Sequence, residues 1–181
     1  GLDHGPIWAE PTLEEAADAR EFAIGGSGSG GSEPLPPPKP FTKVYAEARR
    51  LGFKTSVHAG EAAGSKSVWG ALQDLEVDRI GHATRAREDI ALLEHLERES
   101  TPLELCPLSN VATGVIPSYK DHPVHQYWQH GLNITINTDD PGMFPRRPGG
   151  EGHRADGETF LIKGSPCLLY KSEAADDTPC V

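Results

Sequence analysis

Three short stretches of the sequence carry side chains that could bind a metal ion and move protons beside it. His58 and Glu61 lie in VHAGE, His82 lies in DRIGHAT, and Asp139 and Asp140 lie in NTDDP. A neutral imidazole nitrogen is a common metal ligand, and a nearby carboxylate can donate or accept a proton. The adjacent aspartates repel each other, and a bound cation or a protonated ligand would relieve that repulsion. The combination indicates a mononuclear metal hydrolase.

Each stretch taken singly also has an ordinary structural explanation, and the residues alone leave both explanations open. A histidine such as His58 is more often structural than a ligand, and a lone Glu61 is more often a solvated loop charge. The Asp-Pro pair at 140–141 favours a turn, and CPLSN at 106–110 could close a strand with only a hydrogen-bonded turn. The metal-site interpretation depends on the whole set lying at the ends of neighbouring strands.

The elements that must position these residues follow an alternating order of strands and helices along the chain. Hydrophobic spacing predicts strands at 53–57, 77–82, 103–106 and 132–137, and helices at 11–22, 41–51, 68–75, 86–99 and 122–130. Short connections between such elements predict βα units and a parallel α/β sheet. Polar residues at the carboxyl ends of parallel strands then meet at one edge, where α/β folds and barrels place their sites.

Two local patterns make finer predictions about the helices. Thr12 and Glu15 form a capping-box pattern, so the first helix is expected to begin close to Thr12. In the fourth predicted helix, Ile90, Leu93 and Leu96 are expected to face inward and the charged residues outward.

Composition bounds the classes of protein to which the chain can belong. The 181 residues suffice for one domain, and 27 acidic against 17 basic side chains give a formal net charge of −10. Such a chain has no general attraction to nucleic-acid phosphates or anionic membranes, so neither partner is expected. The three cysteines form no CxxC pair, which argues against a disulfide framework and fits a cytoplasmic setting. Residues 145–181 are polar and lack periodicity, and an irregular or disordered tail is expected there.

Five motifs occur in a fixed order along the chain: GGSE at 30–33, VHAGE at 57–61, RIGHAT at 79–84, CPLSN at 106–110 and ITINTDDP at 134–141. With these motifs the sequence resembles the adenosine/AMP deaminase family, and within it the bacterial-type adenosine deaminases. The resemblance implies that residues 1–144 form part of a (β/α)₈ TIM barrel, about strands four to eight, with the site at the strand carboxyl ends. It also implies that GGSGSGGSE at 25–33, which by composition could be a flexible linker, is a strand followed by a loop facing the site.

The resemblance further implies a zinc-dependent hydrolytic deamination of adenosine to inosine and ammonia. His58 and Asp139 would be zinc ligands, and zinc lowers the pKa of its bound water to roughly 7. Glu61 would protonate purine N1, which makes C6 electrophilic. His82 would orient and stabilise the attacking hydroxide.

Substrate contacts and alternatives follow from the same resemblance. The backbone N–H of Gly31 would contact purine N3, and Asp140 would hold purine N7. Adenine and N6-substituted adenine nucleotides are alternative substrates. The first barrel strand of the family carries an H-x-H pair of zinc ligands that this sequence lacks. A non-catalytic fragment that self-associates through exposed barrel edges is therefore a further alternative.

Overall fold

A computed structural model describes residues 6–19, 24–31, 33 and 39–139 of the chain. Within these residues the strands are β1 Gly26–Ser29, β2 Lys54–Ala59, β3 Arg79–His82, β4 Leu103–Leu105 and β5 Ile134–Ile136. The α-helices are α1 Ala9–Asp18, α2 Thr42–Arg50, α3 Ser65–Gln73, α4 Ile90–Arg98, α5 Pro107–Ala112 and α6 Val124–Gln129. The strands form one parallel sheet in the order β1-β2-β3-β4-β5, so the predicted α/β class is confirmed.

Parallel pairing brings the carboxyl ends of the strands to one edge of the sheet. Val57 of β2 lies opposite Ile80 of β3, and Leu105 of β4 lies opposite Ile136 of β5. Parallel neighbours need a crossover connection, and helices α2 to α6 lie in these connections. Each loop that follows a strand therefore begins on the same side of the described sheet.

The glycine-rich segment at 25–33 contains a strand rather than a flexible linker. Gly26 to Ser29 pair in parallel with Lys54 to Val57 of β2. Because glycine has a low preference for strands, the pairing with β2 determines this element more than local propensity does. A Cβ added at Gly28 would lie 2.5 Å from Ser56 Oγ, so the absence of a side chain lets β1 approach β2 closely.

The core lies between the sheet and the helices that cross it. Val57 and Ile80 of the central strands are 1% and 0% exposed, and Leu75 after α3 is 0% exposed. A smaller cluster joins α1 to α2 near the β1 edge, and its buried members are Leu13, Val44, Ala48 and Phe53. Burial of each large apolar side chain stabilises the fold by about 1.5–3 kcal/mol, so these contacts fix the strands that carry the site.

The predicted capping box at the first helix is wrong. Helix α1 begins at Ala9, so Thr12 lies inside it, and the Thr12 hydroxyl donates to the Trp8 carbonyl at 2.9 Å. Pro11 is compatible with this earlier start, because the first N–H groups of a helix have no partner within it. The proline therefore lies in the first turn and does not precede the helix.

Ile90 is exposed, which contradicts the inward position expected from its spacing. Asp89 caps helix α4 by accepting hydrogen bonds from two backbone N–H groups of the first turn. The first residue of the helix projects into solvent, where Ile90 is 61% exposed. Leu92 takes its place on the buried face, together with Leu93 and Leu96 as predicted.

The segment CPLSN leads into a helix, where the sequence predicted only a turn at the end of a strand. Helix α5 begins at Pro107, two residues after β4, and buries Asn110 completely. Its buried residues are Pro107, Ser109 and Asn110, so no apolar stripe marks the buried face, which explains why the sequence pattern missed this helix.

Some predictions concern residues that the structure does not describe. Asp140 is one of them, and the tail at 145–181 is another, so the division of the chain at residue 144 stays a prediction. In the described ranges, no helix is both long enough and apolar enough to cross a membrane.

Candidate active site

The predicted site residues converge at the carboxyl edge of the sheet. His58 lies near the end of β2, Glu61 follows that strand, His82 ends β3, and Asp139 follows β5. The imidazole rings of His58 and His82 have centroids 4.5 Å apart and planes inclined at 79°. His82 Nδ1 is 3.4 Å from Glu61 Oε1. Residues that are distant in sequence thus form one cluster, as the strand-end argument predicts.

The backbone adopts an unfavourable conformation where His82 and Asp139 lie. His82, Ala83 and Asp139 have φ angles of 65°, 51° and 61°, in the left-handed region that residues with a Cβ disfavour. Each such residue costs about 1–3 kcal/mol and persists only where surrounding contacts determine it. The Tyr127 hydroxyl provides one contact by donating to the Ala83 carbonyl at 2.7 Å. Strain of this kind is concentrated at functional sites, which supports a site at this edge.

Two glycines make room for the His58 ring. A Cβ at Gly30 would lie 3.0 Å from His58 Cε1, and a Cβ at Gly81 would lie 2.9 Å from His58 Cδ2. Carbon atoms in ordinary contact lie about 3.5–4.0 Å apart, so both neighbours must present bare backbone to this ring. The same requirement gives a physical reason for Gly30 in GGSE and for Gly81 in RIGHAT.

A carboxylate that the motifs did not single out holds the loop after β2. Glu33 accepts hydrogen bonds from the backbone N–H groups of residues 60–63 at 2.6 to 3.0 Å, and from the Ser67 hydroxyl. Hydrogen bonds from N–H groups to a carboxylate are about twice as strong as those between neutral groups. Glu33 therefore ties the loop that carries Glu61 to the loop that follows β1. Its only signal in the sequence is an acidic residue at the end of GGSE.

Glu61 lies where a carboxyl group can both donate and accept a proton near neutral pH. Burial raises its pKa to about 7, and the negative charges of Asp139 and Glu33 act in the same direction. The Asn110 amide opposes this shift, because Asn110 Nδ2 donates to Glu61 Oε1 at 3.0 Å. A general acid or base is most effective when its pKa is close to the working pH.

Burial lowers the pKa of both site histidines. The pKa of His82 falls to about 4, because burial disfavours its cation and the neighbouring His58 adds to that effect. At His58, burial outweighs the opposing charges of Asp139 and other carboxylates. Neutral imidazole offers a nitrogen lone pair, so these rings are suited to bind a metal ion or to accept a hydrogen bond.

Two further buried residues, Asn110 and His122, form a hydrogen-bonded chain behind Glu61 and His82. Asn110 Nδ2 is 3.0 Å from Glu61 Oε1 and 3.0 Å from His82 Nδ1. On its other side, Asn110 Oδ1 is 3.2 Å from His122 Nε2. The motif CPLSN indicated a polar residue at Asn110 without a role. A single histidine followed by proline gave no sequence signal for His122.

The clustered side chains have donor atoms that fit a zinc ion. His58, Glu61 and His82 each offer one ligand atom within 4.8 Å of the others, and so do His82, Cys106 and Asp139. Nitrogen, oxygen and sulfur are the donors found in protein zinc sites. Among the described residues, His58 and Asp139 do not share a group, and His82 is the member common to both groups.

Gly31 lies beside the cluster, whereas Asp140 is outside the described residues. Gly31 follows β1 with a φ angle of 102°, a conformation that glycine adopts without strain. It is exposed and adjoins Gly30, which approaches the His58 ring. The Gly31 backbone is therefore accessible on the loop that borders the cluster.

Known proteins similar to this chain match most of its length. The family model of adenosine deaminase matches residues 2–151. The aminodeoxyfutalosine deaminase of Streptomyces avermitilis is 41% identical over 138 residues, covering 75% of this chain and 38% of that protein. The adenine deaminase of Cupriavidus taiwanensis is 43% identical over 133 residues, covering 74% and 38% respectively. The adenosine deaminase of Erwinia tasmaniensis is 42% identical over 107 residues, covering 59% and 32%. The chain thus spans less than two-fifths of the length of these relatives.

Two solved structures share the fold of the described chain. The adenine deaminase from Arthrobacter aurescens is 34% identical with a TM-score of 0.68, covering 75% of this chain and 42% of that one. An amidohydrolase from Burkholderia ambifaria, solved with bound Zn, is 27% identical with a TM-score of 0.60, covering 71% and 38%. The first of these likenesses, together with the five parallel strands, confirms the predicted partial TIM-barrel class.

Proposed function

Because the chain belongs to the adenosine deaminase family, we propose that it supplies part of the active site of a zinc-dependent hydrolase that removes the 6-amino group of a purine. Water supplies the oxygen that replaces the amino nitrogen at C6, so the products are a 6-oxopurine and ammonia. The observation that carries this proposal is the convergence of His58, Glu61, His82 and Asp139 at one edge of the sheet.

Adenosine is the substrate that we propose, with inosine as the product. Relatives of similar identity are named for adenosine, adenine and aminodeoxyfutalosine, so identity alone does not separate these substrates. Adenine is the second candidate, because a relative at 43% identity and a solved structure at 34% identity both bear the name adenine deaminase. Either substrate would present the same 6-aminopurine ring to the clustered side chains.

His58 and Asp139 are the residues that we propose as zinc ligands. His58 lies near the end of β2 and Asp139 follows β5, so both lie at the carboxyl edge of the sheet, and each belongs to a group of potential ligand atoms there. When bound, a zinc ion supplies a water that ionises near neutral pH. The H-x-H pair that this sequence lacks would belong to the part of the relatives that the chain does not span.

Glu61 is proposed as the proton donor to purine N1. Its backbone N–H donates to Glu33 at 3.0 Å and its Oε1 accepts from Asn110 at 3.0 Å, so both the backbone and the carboxyl group of Glu61 are held. Protonation at N1 draws electrons from C6 and favours attack by an oxygen nucleophile there. His82, which is 1% exposed and 3.4 Å from Glu61, is proposed to orient that oxygen.

The remaining proposals concern the surroundings of the site. The backbone N–H of Gly31 would donate to purine N3, and the protonated carboxyl group of Asp140 would donate to N7. Strands β1 and β5 end the described sheet, and open edges pair readily with other strands. We propose that further barrel strands, or otherwise a second copy of the chain, cover these edges.

We also propose that residues 1–144 belong to the barrel and that the enzyme acts on purines in the cytoplasm.

The proposal is tested by measuring deamination and zinc content together. The purified chain would be assayed with equimolar zinc, alone and mixed with the amino-terminal part of the C. taiwanensis adenine deaminase, against adenosine and against adenine. We expect a loss of aminopurine absorbance and an equal release of ammonia in this mixed sample. Glu61→Gln should abolish turnover, whereas Glu94→Gln, at an exposed position of α4, should not. Zinc binding without ammonia release from either purine would contradict the proposed reaction.

A further inference from the structure

A chain of hydrogen bonds behind the site starts at a backbone N–H group, which can only donate. The backbone N–H of Val124 lies 3.2 Å from His122 Nδ1. Because an amide N–H can only donate, His122 Nδ1 must accept, and the hydrogen of the neutral ring must lie on Nε2. The start of helix α6 thus determines the tautomer of His122.

The ring of His122 in turn orients the Asn110 amide. His122 Nε2 is 3.2 Å from Asn110 Oδ1, and it donates to that oxygen because it carries the ring hydrogen. The amide nitrogen then faces Glu61 Oε1 and His82 Nδ1, each at 3.0 Å. An amide nitrogen has two hydrogens, one for each of these acceptors. His82 Nδ1 therefore accepts, and the hydrogen of the His82 ring lies on Nε2.

The opposite orientation of the amide is disfavoured because the network is buried. A reversed Asn110 would place its oxygen against the Glu61 oxygen and its NH₂ group against the donor of His122. His82, Asn110 and His122 are 1%, 0% and 4% exposed, so water cannot replace the lost hydrogen bonds. Only one direction of the network satisfies the donors and acceptors within it.

We propose that Asn110 and His122 are positioning residues that fix His82 as its Nε2–H tautomer. With Nδ1 occupied by Asn110, His82 presents a hydrogen-bond donor at Nε2 in place of a lone pair. In the deamination proposed above, on which this role rests, His82 stabilises negative charge on the attacking oxygen and does not remove its proton. Proton transfer is then left to Glu61.

The tautomer is measured directly by NMR of the ¹⁵N-labelled chain, through couplings between the ring nitrogens and the carbon-bound ring protons. The His82 signals are identified by their loss in His82→Phe. We expect the Nε2–H tautomer at neutral pH for both His82 and His122. An Nδ1–H ring at His82, or a ring protonated on both nitrogens, would overturn the proposal.

Two pairs of variants separate positioning from a purely structural role. Asn110→Leu keeps the approximate size but has no hydrogen to donate, so His82 should change to its Nδ1–H tautomer and face Glu61 Oε1, 3.4 Å away; Asn133→Leu, at an exposed amide, is the control. His122→Gln keeps an N–H donor and should preserve the His82 tautomer, whereas His122→Phe should lose it; His125→Phe, exposed on α6, is the control. A lowered melting temperature with an unchanged His82 tautomer would show a structural role alone and overturn the proposal.

Activity in the mixed sample tests the consequence for the reaction. His122→Phe should lower kcat by about 10- to 100-fold and change KM by less than about 2-fold, and His122→Gln should recover most of the loss. An unchanged kcat in His122→Phe would show that the tautomer has no role in turnover. If the unaltered chain yields no ammonia while His82 is the Nε2–H tautomer, the proposed deamination fails and the positioning of His82 stands.

Discussion

The side of the site around His58 and the side around His82 hold their functional residues by opposite means. Around His58, glycines take the place of side chains, and one carboxylate, Glu33, binds the backbone of residues 60–63. Around His82, buried side chains hold one another, with Asn110 donating to Glu61 and His82. The first arrangement controls space, and the second controls the direction of hydrogen bonds. His58, a proposed zinc ligand, is supported by the space left around its ring. His82, a proposed hydrogen-bond donor, is supported by hydrogen bonds of fixed direction.

The largest loss of unfolding free energy is expected at Gly60, on the crowded His58 side of the site. Gly60 has a φ angle of 73°, and a Cβ there would lie 2.5 Å from Val68 Cγ2. Left-handed strain and overpacking together should make Gly60→Ala lower the free energy of unfolding by about 2–4 kcal/mol, measured by urea denaturation. Gly114 has a φ angle of 75° with nothing within 4 Å, so Gly114→Ala should lose only about 1 kcal/mol. Equal losses would contradict the steric account of this side.

A smaller loss of unfolding free energy is expected when Glu33, on the same side, is replaced. Glu33→Gln places an NH₂ group against backbone N–H donors, which should cost about 2 kcal/mol of unfolding free energy. Hydrogen exchange of the amides at 60–63 should become faster, while the amides of α4 keep their protection. Glu47→Gln serves as the control, because the Glu47 side chain is 44% exposed and forms an ion pair with Arg50 on the same helix. Unchanged exchange at 60–63 in Glu33→Gln would show that Glu33 does not hold this loop.

The smallest loss of unfolding free energy is expected on the His82 side, where the Tyr127 hydroxyl supports the strained backbone after β3. Tyr127 donates to the Ala83 carbonyl at 2.7 Å and accepts from the Arg87 N–H at 3.0 Å. Tyr127→Phe should cost about 1–1.5 kcal/mol of unfolding free energy and shift the NMR signals of His82. In the control Tyr45→Phe, which loses a 2.8 Å bond to the Ser56 carbonyl, the His82 signals should not move. Similar His82 shifts in both variants would remove the special role of Tyr127.

The strands and their polar ends could be predicted because both signals are local. Alternating apolar positions followed by His58, His82 or Asp139 require only neighbouring residues to be recognised. The failures at helix ends have the same origin. Thr12 matched a local cap while the helix began three residues earlier at Ala9, and the spacing of Ile90 did not reveal that it would be the exposed first residue.

The connections between the site residues could not be predicted, because they join segments that are far apart in sequence. Glu33 contacts residues 27 to 30 positions later, and Asn110 contacts Glu61 across 49 positions. No periodicity encodes such contacts. They depend on how the parallel strands stack, and on the short helix α5, whose only sequence signal was a proline at its first position.

His58 and Asp139 are proposed to hold the zinc on which the proposed reaction depends. This is tested by mixing the chain with the amino-terminal part of the C. taiwanensis adenine deaminase, dialysing the mixture and measuring its zinc content by mass spectrometry. The measurement compares the unaltered chain with His58→Ala, Asp139→Ala and the exposed control His130→Ala. We expect each of the first two substitutions to remove the zinc and His130→Ala to retain it. Zinc content unchanged by His58→Ala or by Asp139→Ala would show that the substituted residue is not a zinc ligand.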